Sequence, residues 1–201
     1  MTKRLQSITS KLPAAVALAL IVLFWFVLSE TGVVPGYMLP SPVDVVKALI
    51  GDFPIIMEHA GVTLQEAFYG LAIGIILAFI TATLMDHFLM LNRAFYPIMI
   101  ITQTIPTIAI APVLVLWMGF GMAPKITLVV ITTFFPITVG LLDGYKSVDR
   151  DSVDLMRAMG ATKLQIFWHV KISAAMPQFF AGLKIAASYA VVGAVISEWL
   201  G

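Results

Sequence analysis

Apolar residues gather along this chain in five long runs, separated by two short polar intervals, a longer one at residues 30–60 and a long, highly charged stretch in the C-terminal third. Runs of this length with few charges predict transmembrane helices, because a helix needs roughly 20 apolar residues to cross the hydrocarbon core. The runs predict spans at residues 13–29, 62–85, 95–118, 125–142 and 179–200, making the chain an all-α polytopic membrane protein with one transmembrane domain over residues 1–201. The first run has a rival reading as a signal peptide, with Lys3, Arg4 and Lys11 as a basic n-region. Its length and the spans that follow favour a retained helix.

Within the spans, a few positions depart from the apolar pattern. Gly70 and Gly74 form a small-xxx-small pair in the second span, which permits close helix approach; packing within one subunit is the simpler use. The third span carries Pro97, Pro106 and Pro112 together with Thr102, Gln103, Thr104 and Thr107. Such residues are tolerated at membrane depth only where protein or a water-filled cavity covers the freed backbone groups. Pro136 interrupts the fourth span, and Lys184 in the fifth is placed to snorkel to the near interface. A polar turn is expected at residues 86–93 and a tight turn at 119–124. In the interval 30–60, Ser41 and Pro42 read as N-cap and first helical position of a short interfacial helix over residues 43–50.

The long polar stretch, residues 149–177, organises the rest. It predicts two short helices broken at a glycine. The first has Asp149, Asp151 and Asp154 early and Arg157 late, the order that the helix dipole favours. Gly160 supplies the left-handed stop. Thr162 with Gln165 is a capping-box signature for a second helix over residues 163–170, whose Leu164, Phe167 and Trp168 share a face. The stretch either docks onto a partner or packs against its own membrane helices; periodicity leaves both open.

Composition agrees with a membrane protein: 60% of residues are hydrophobic, 11% are charged, and the mean hydropathy is +1.00. No cysteine is present, which excludes a disulfide framework and a thiolate metal site. The net charge of +1 is less informative than where the charges fall. With residues 1–12 in the cytoplasm, Lys3, Arg4, Lys11, Arg93, Lys146, Arg150, Arg157, Lys163, Lys171 and Lys184 lie on that side, leaving only Lys47 and Lys125 outside. The positive-inside rule therefore puts the N-terminus and residues 149–177 in the cytoplasm.

The run Asp154-Leu155-Met156, three residues, Gly160-Ala161, a hydrophobic helix and then Ala174-Ala175-Met176-Pro177 resembles the EAA loop of binding-protein-dependent ABC transporter permeases. Asp154 stands for the usual Glu, Leu155 and Met156 for the two Ala, and Ile172-Ser173 for Leu-Pro. The segments TQTIPTIAIAPVLVLWMGFGMAPK, FFPITVGLLDGYKSVD and GLKIAASYAVVGAVISEWLG resemble the nitrate, sulfonate and taurine permease group, above all its members assigned to uptake of the thiamine-precursor hydroxymethylpyrimidine. The resemblance implies an ATP-driven importer in the bacterial inner membrane. A homodimer of permeases would form the pathway, a separate ATP-binding subunit would hold ATP and Mg, and an extracytoplasmic binding protein would deliver the solute. It assigns ATPase coupling to Asp154, Arg157, Ala158, Gly160, Ala161, Leu164 and Phe167. Permeases of this kind usually have a sixth span, so the resemblance also implies a chain shortened by one helix.

The chain carries no phosphate-binding loop, dinucleotide fingerprint or nucleophile elbow, and His59, His87 and His169 lie in three separate loops. It is expected to be a transport subunit without a cofactor of its own, embedded in a lipid bilayer and with no nucleic-acid partner. Polar side chains inside spans mark candidate solute contacts: Gln103, Thr104, Ser188, Tyr189 and, at the outer mouth, Glu198. Interhelical hydrogen bonding is the competing use for each. Asp154 and Arg157, three apart, suit an ion pair within their own helix before one to an ATPase. An ion-gradient transporter would show buried acid or His relays and internal repeats; Glu66 and Glu198 lie near span ends and no repeat is evident.

Overall fold

The computed structural model describes residues 2–32 and 34–200, with side chains from residue 12 to 199 apart from Val33. Gly201 and the side chains of Lys3, Arg4 and Lys11 lie outside the described residues. All of the elements described are helices. They are α1 (Thr2–Glu30), α2 (Pro42–Gly51), α3 (Phe53–His87), α4 (Leu89–Thr102), α5 (Thr107–Met118), α6 (Met122–Lys146), α7 (Arg150–Ala158), α8 (Lys163–Ile166), a π-helical turn at Phe167–Lys171, and α9 (Ile172–Leu200). Among the described residues four stretches are long and apolar enough to cross a membrane; α4 and α5 pass the same test only taken together, and they are bent by 100°. Packing divides the chain between His59 and Ala60.

In the first unit α2 begins as expected. Ser41 caps it, its Oγ accepting from the Asp44 backbone N–H at 3.2 Å, and Pro42 opens the helix. Trp25 of α1 donates its indole N–H to the Pro40 carbonyl at 3.0 Å, fixing the turn that precedes α2.

The second unit is built on α6. Its neighbours reach it through glycines. A Cβ on Gly70 or Gly74 of α3 would collide with Val129 and Thr133 of α6, so the small-xxx-small pair is used for packing inside one chain. From α9, Gly182 presses on the Pro136 carbonyl, while Gly140 and Gly144 of α6 face the Gln178 carbonyl and Ala175. Ala78, Ala82, Ile137, Leu141, Leu142, Ala175 and Ala186 fill the core between these three helices. Small residues do this because, in lipid, helices gain contact only by approaching closely.

Four boundaries among those expected differ from the sequence pattern. Helix α3 starts nine residues before the expected span, since 53–61 continues it as a helix without proline after Pro54. The third span is not one helix: α4 and α5 meet at a bend of 100° across residues 103–106. Pro106 lacks the N–H that would continue the ladder and holds Ile105 out of the helical region. The hydroxyls of Thr102 and Thr104 turn back onto the Met99 and Ile101 carbonyls, both at 2.7 Å. Finally, the helix begun at Lys163 does not stop before the last span but runs through the π-helical turn into α9, with Pro177 inside it. The predicted polar turn at 86–93 shrinks to Phe88, and α4 starts at Leu89.

Substituting Gly144→Val drives the new side chain into Ala175, whose Cα lies 2.5 Å from where the Cβ would sit. Overpacking of this kind costs about 1–3 kcal/mol. Thermal unfolding in detergent should show a lowered midpoint for Gly144→Val and an unchanged or raised one for Gly61→Ala, where the space is open.

Candidate functional site: the α7–α8 loop and the α6–α9 groove

Local capping explains the shape of the loop. Asp149 caps α7, its side chain accepting from the Asp151 N–H at 3.3 Å. At the other end Gly160 takes φ +81°. Its N–H donates to the Arg157 carbonyl at 2.9 Å, and that of Ala161 to the Met156 carbonyl at 3.0 Å. This is the Schellman pattern, which needs a residue free of a Cβ penalty at position 160. The capping box follows at once: the Thr162 N–H donates to Gln165 Oε1 at 2.8 Å, and the Gln165 N–H to Thr162 Oγ1 at 3.3 Å. Two backbone–backbone bonds and two backbone–side-chain bonds thus define the break between the two short helices.

Side chains then divide between anchors and knobs. Ile166 is 6% exposed and is the anchor of α8. The Phe167 ring packs on Tyr145 at 5.5 Å between centroids, and the Tyr145 hydroxyl lies 3.5 Å from Thr83 Oγ1 on α3. Leu155, Met159, Leu164 and Trp168 face outward, Leu164 being 67% exposed. The face expected from Leu164, Phe167 and Trp168 is therefore split: Leu164 and Trp168, four apart, face outward, while Phe167 lies on the Ile166 side. Asp154 and Arg157 pair at 3.0 Å on the exposed side of α7, within their own helix. Ala158 sits exposed in the last turn of α7, and Ala161 is half-buried beside Lys163.

An ion pair that the sequence did not disclose ties this loop down. Lys171, in the π-helical turn, places its Nζ 2.6 Å and 2.9 Å from the two carboxylate oxygens of Asp86, at the end of α3. The side chains are 29% and 18% exposed, so the pair is largely desolvated. Beside it lies a cleft of about 480 Å³ lined by Asp86, Val153, Arg157, Ala161, Phe167 and Lys171. Only opposite charge marked Asp86 and Lys171 as partners, and they are 85 positions apart.

At the far ends of the same helices, Glu66 of α3 is 1% exposed and its Oε1 lies 3.4 Å from Lys125 Nζ, at the start of α6. Glu198 accepts from the Thr63 hydroxyl at 2.8 Å and 2.9 Å, which engages it between α3 and α9. Of the other proposed solute contacts, Thr104 bonds back to Ile101, and Ser188 to the Lys184 carbonyl at 3.3 Å. Gln103 and Tyr189 come together. Both line a groove of about 470 Å³ along the α6–α9 seam, with Gly140, Asp143, Gln178 and Gly182. Asp143 and Gln178 were not singled out by sequence; only a helical wheel registered against α9 would have put them on that face. Among the described residues no three His, Asp or Glu side chains converge on a metal-sized site.

Residues 70–201 match the family described as binding-protein-dependent transport system inner membrane component. A formylaminopyrimidine transport permease protein of Halalkalibacterium halodurans is 42% identical over 166 residues, covering 82% of this chain and 66% of that protein. A probable ABC transporter permease protein of Haemophilus influenzae is 36% identical over 181 residues, covering 90% of this chain and 74% of its own length. A putative aliphatic sulfonates transport permease protein of Bacillus subtilis is 28% identical over 191 residues, covering 91% and 67%. The chain thus spans about two thirds of the first of these relatives.

Breaking the ion pair one side at a time should be measurable. Lys171→Ala or Asp86→Ala leaves a poorly solvated charge behind and should cost about 1–3 kcal/mol, less than the 3–5 of a fully buried pair. A double-mutant cycle on thermal unfolding checks it: the double alanine variant should lose less than the sum of the two single losses.

Proposed function

We propose that this chain, which belongs to the family of binding-protein-dependent transport system inner membrane components, is the permease subunit of an ATP-driven importer, coupled to its ATPase through residues 149–177. The observation that carries the reading is the rigid two-helix knob around Gly160, with Leu155, Met159, Leu164 and Trp168 turned outward on it. Apolar side chains on a charged loop, held at a fixed angle, suit a groove on a soluble partner. In the proposed arrangement the N-terminus and this loop are cytoplasmic, two permease copies line the pathway, and ATP and Mg sit on two ATP-binding subunits beneath. The gathering of Lys146, Arg150, Arg157, Lys163 and Lys171 at one end of the second unit supports that orientation.

Closure of the ATPases would push on α7 and α8. Because α8 continues into α9 through the π-helical turn, the push reaches the seam helix directly. Through Lys171 and Asp86 it reaches α3 as well. The loop is thus wired to α3 and α9, the two helices that reach α6 through glycines, which is what a change of access at the membrane requires. Asp154, Arg157, Ala158 and Ala161 frame the knob; Leu164 makes the contact and Phe167 fixes its base.

For the solute, we favour a small polar nutrient of the thiamine-precursor pyrimidine type, hydroxymethylpyrimidine, supported by the 42% identity to a permease named for a formylaminopyrimidine. A binding protein on the outer face would deliver it.

Uptake of labelled hydroxymethylpyrimidine by cells carrying the permease, ATPase and binding protein tests this, scored beside co-purification of the ATPase. Gly160→Pro cannot keep φ +81° and should abolish both. Leu164→Asp should abolish both as well while leaving the melting midpoint of the permease unchanged, since Leu164 is largely exposed. An ATPase that never co-purifies with the wild-type chain contradicts the reading.

A further inference from the structure

We propose that the cleft between the α7–α8 loop and the end of α3 holds the phosphate of an anionic phospholipid, taken from the leaflet on the loop's side of the membrane. Depth is the first argument. On α3 twenty positions separate Glu66 from Asp86, and no charged residue stands between them. At about 1.5 Å per residue that run is about 30 Å long, the thickness of the hydrocarbon core. Asp86 and His87, which line the cleft, therefore stand at headgroup level at one end of the span. Phe88, Leu89 and Met90 follow at once and are exposed, Met90 by 85%. An exposed apolar row beside a charged cleft gives the tails of a lipid a surface to lie on.

Charge is the second. Arg157, Lys163 and Lys171 line the cleft against a single carboxylate, Asp86, which Lys171 already meets. Lys163 is exposed and enters no ion pair among the described residues, so its ammonium is free to take a ligand. Arg157 gives Nη1 to Asp154, which does not line this cleft, and keeps its other guanidinium N–H groups. Guanidinium and ammonium groups around one recess match the oxygens of a phosphate. Basic recesses between membrane helices at the headgroup level bind anionic lipids in this way, whereas a zwitterionic lipid brings its own cation and gains less. The outward side chains Leu155, Met159, Leu164 and Trp168 do not line the cleft; Ile166 and Phe167 do. Lipid and soluble partner thus use different sides of the loop, and a bound phosphate braces the loop against α3 from the membrane side.

The test is native mass spectrometry of the purified chain, titrated in detergent with phosphatidylglycerol, phosphatidylcholine or inorganic phosphate. The wild-type chain is expected to bind phosphatidylglycerol about tenfold more tightly than phosphatidylcholine. Lys163→Glu should remove that preference, and Lys47→Glu, the same change of net charge on α2, should keep it. A glutamate in the first turn of α8 suits the helix dipole, so the melting midpoint should hold. Should Lys163→Glu unfold, Lys163→Gln is read in its place and should lower the preference by about fivefold. Equal binding of the two lipids by the wild-type chain, or an undiminished preference in folded Lys163→Glu, overturns the site. Inorganic phosphate bound as tightly as phosphatidylglycerol assigns the cleft to a free anion and overturns the lipid. Loss of ATPase co-purification from Lys163→Glu with the lipid preference intact gives the cleft to the ATPase and overturns it too.

Discussion

The packing of the long helices in the second unit depends on how closely α9 and α3 approach α6. Gly140, Gly144 and Gly182 let the α6 and α9 backbones meet without a side chain between them, and Gly70 and Gly74 do the same for α3. In a bilayer the hydrophobic effect gives helices no reason to prefer one another over lipid, so van der Waals contact at short range must hold them. Glycine makes that contact possible, and alanines at 78, 82, 175 and 186 complete it. A groove runs along the same seam, lined by Gly140 and Gly182 together with Gln103, Asp143, Gln178 and Tyr189.

The loop inherits its rigidity from a different source. It is held by backbone capping at Gly160 and Thr162 and by the Asp86–Lys171 pair, with the Tyr145–Phe167 ring contact beneath. A knob that bent under load would transmit nothing, whereas one fused to α9 and pinned to α3 moves them when it moves. The π-helical turn at the fusion point carries both pinned residues, Phe167 and Lys171. Energetically the arrangement is uneven. The exposed Asp154–Arg157 pair contributes about 0.2–0.5 kcal/mol, well below what the half-buried pair to α3 can hold.

Much of this was legible along the chain because it is local. Helix α2, the stop at Gly160 and the capping box at Thr162 follow from residues within four positions of each other, and each stands where the pattern puts it. Apolar run length was enough for the class of protein, and the family match over residues 70–201 agrees with the permease family read from the sequence. Less visible was whatever depends on a second element. The bend at Gln103 needed more than three prolines in a row of apolar residues, since Pro97 and Pro112 stay inside helices and Pro106 alone breaks one. Phe167 lies on the Ile166 side of its helix and packs on Tyr145 of α6, a partner that periodicity does not announce. Asp86 with Lys171, and Asp143 with Gln178, became neighbours only once α3, α6 and α9 were packed.

The central claim, that residues 149–177 meet an ATPase, is most directly tested by cross-linking. The chain contains no cysteine, so a single one introduced at Leu164 is unambiguous. The permease would be assembled with its ATP-binding subunit, which carries single cysteines across its permease-facing surface, and treated with a short bismaleimide. The account predicts a permease–ATPase adduct from Leu164→Cys whose yield changes when ATP is added, and none from Trp117→Cys, at the opposite end of the helices. An adduct from Trp117→Cys with none from Leu164→Cys would contradict it.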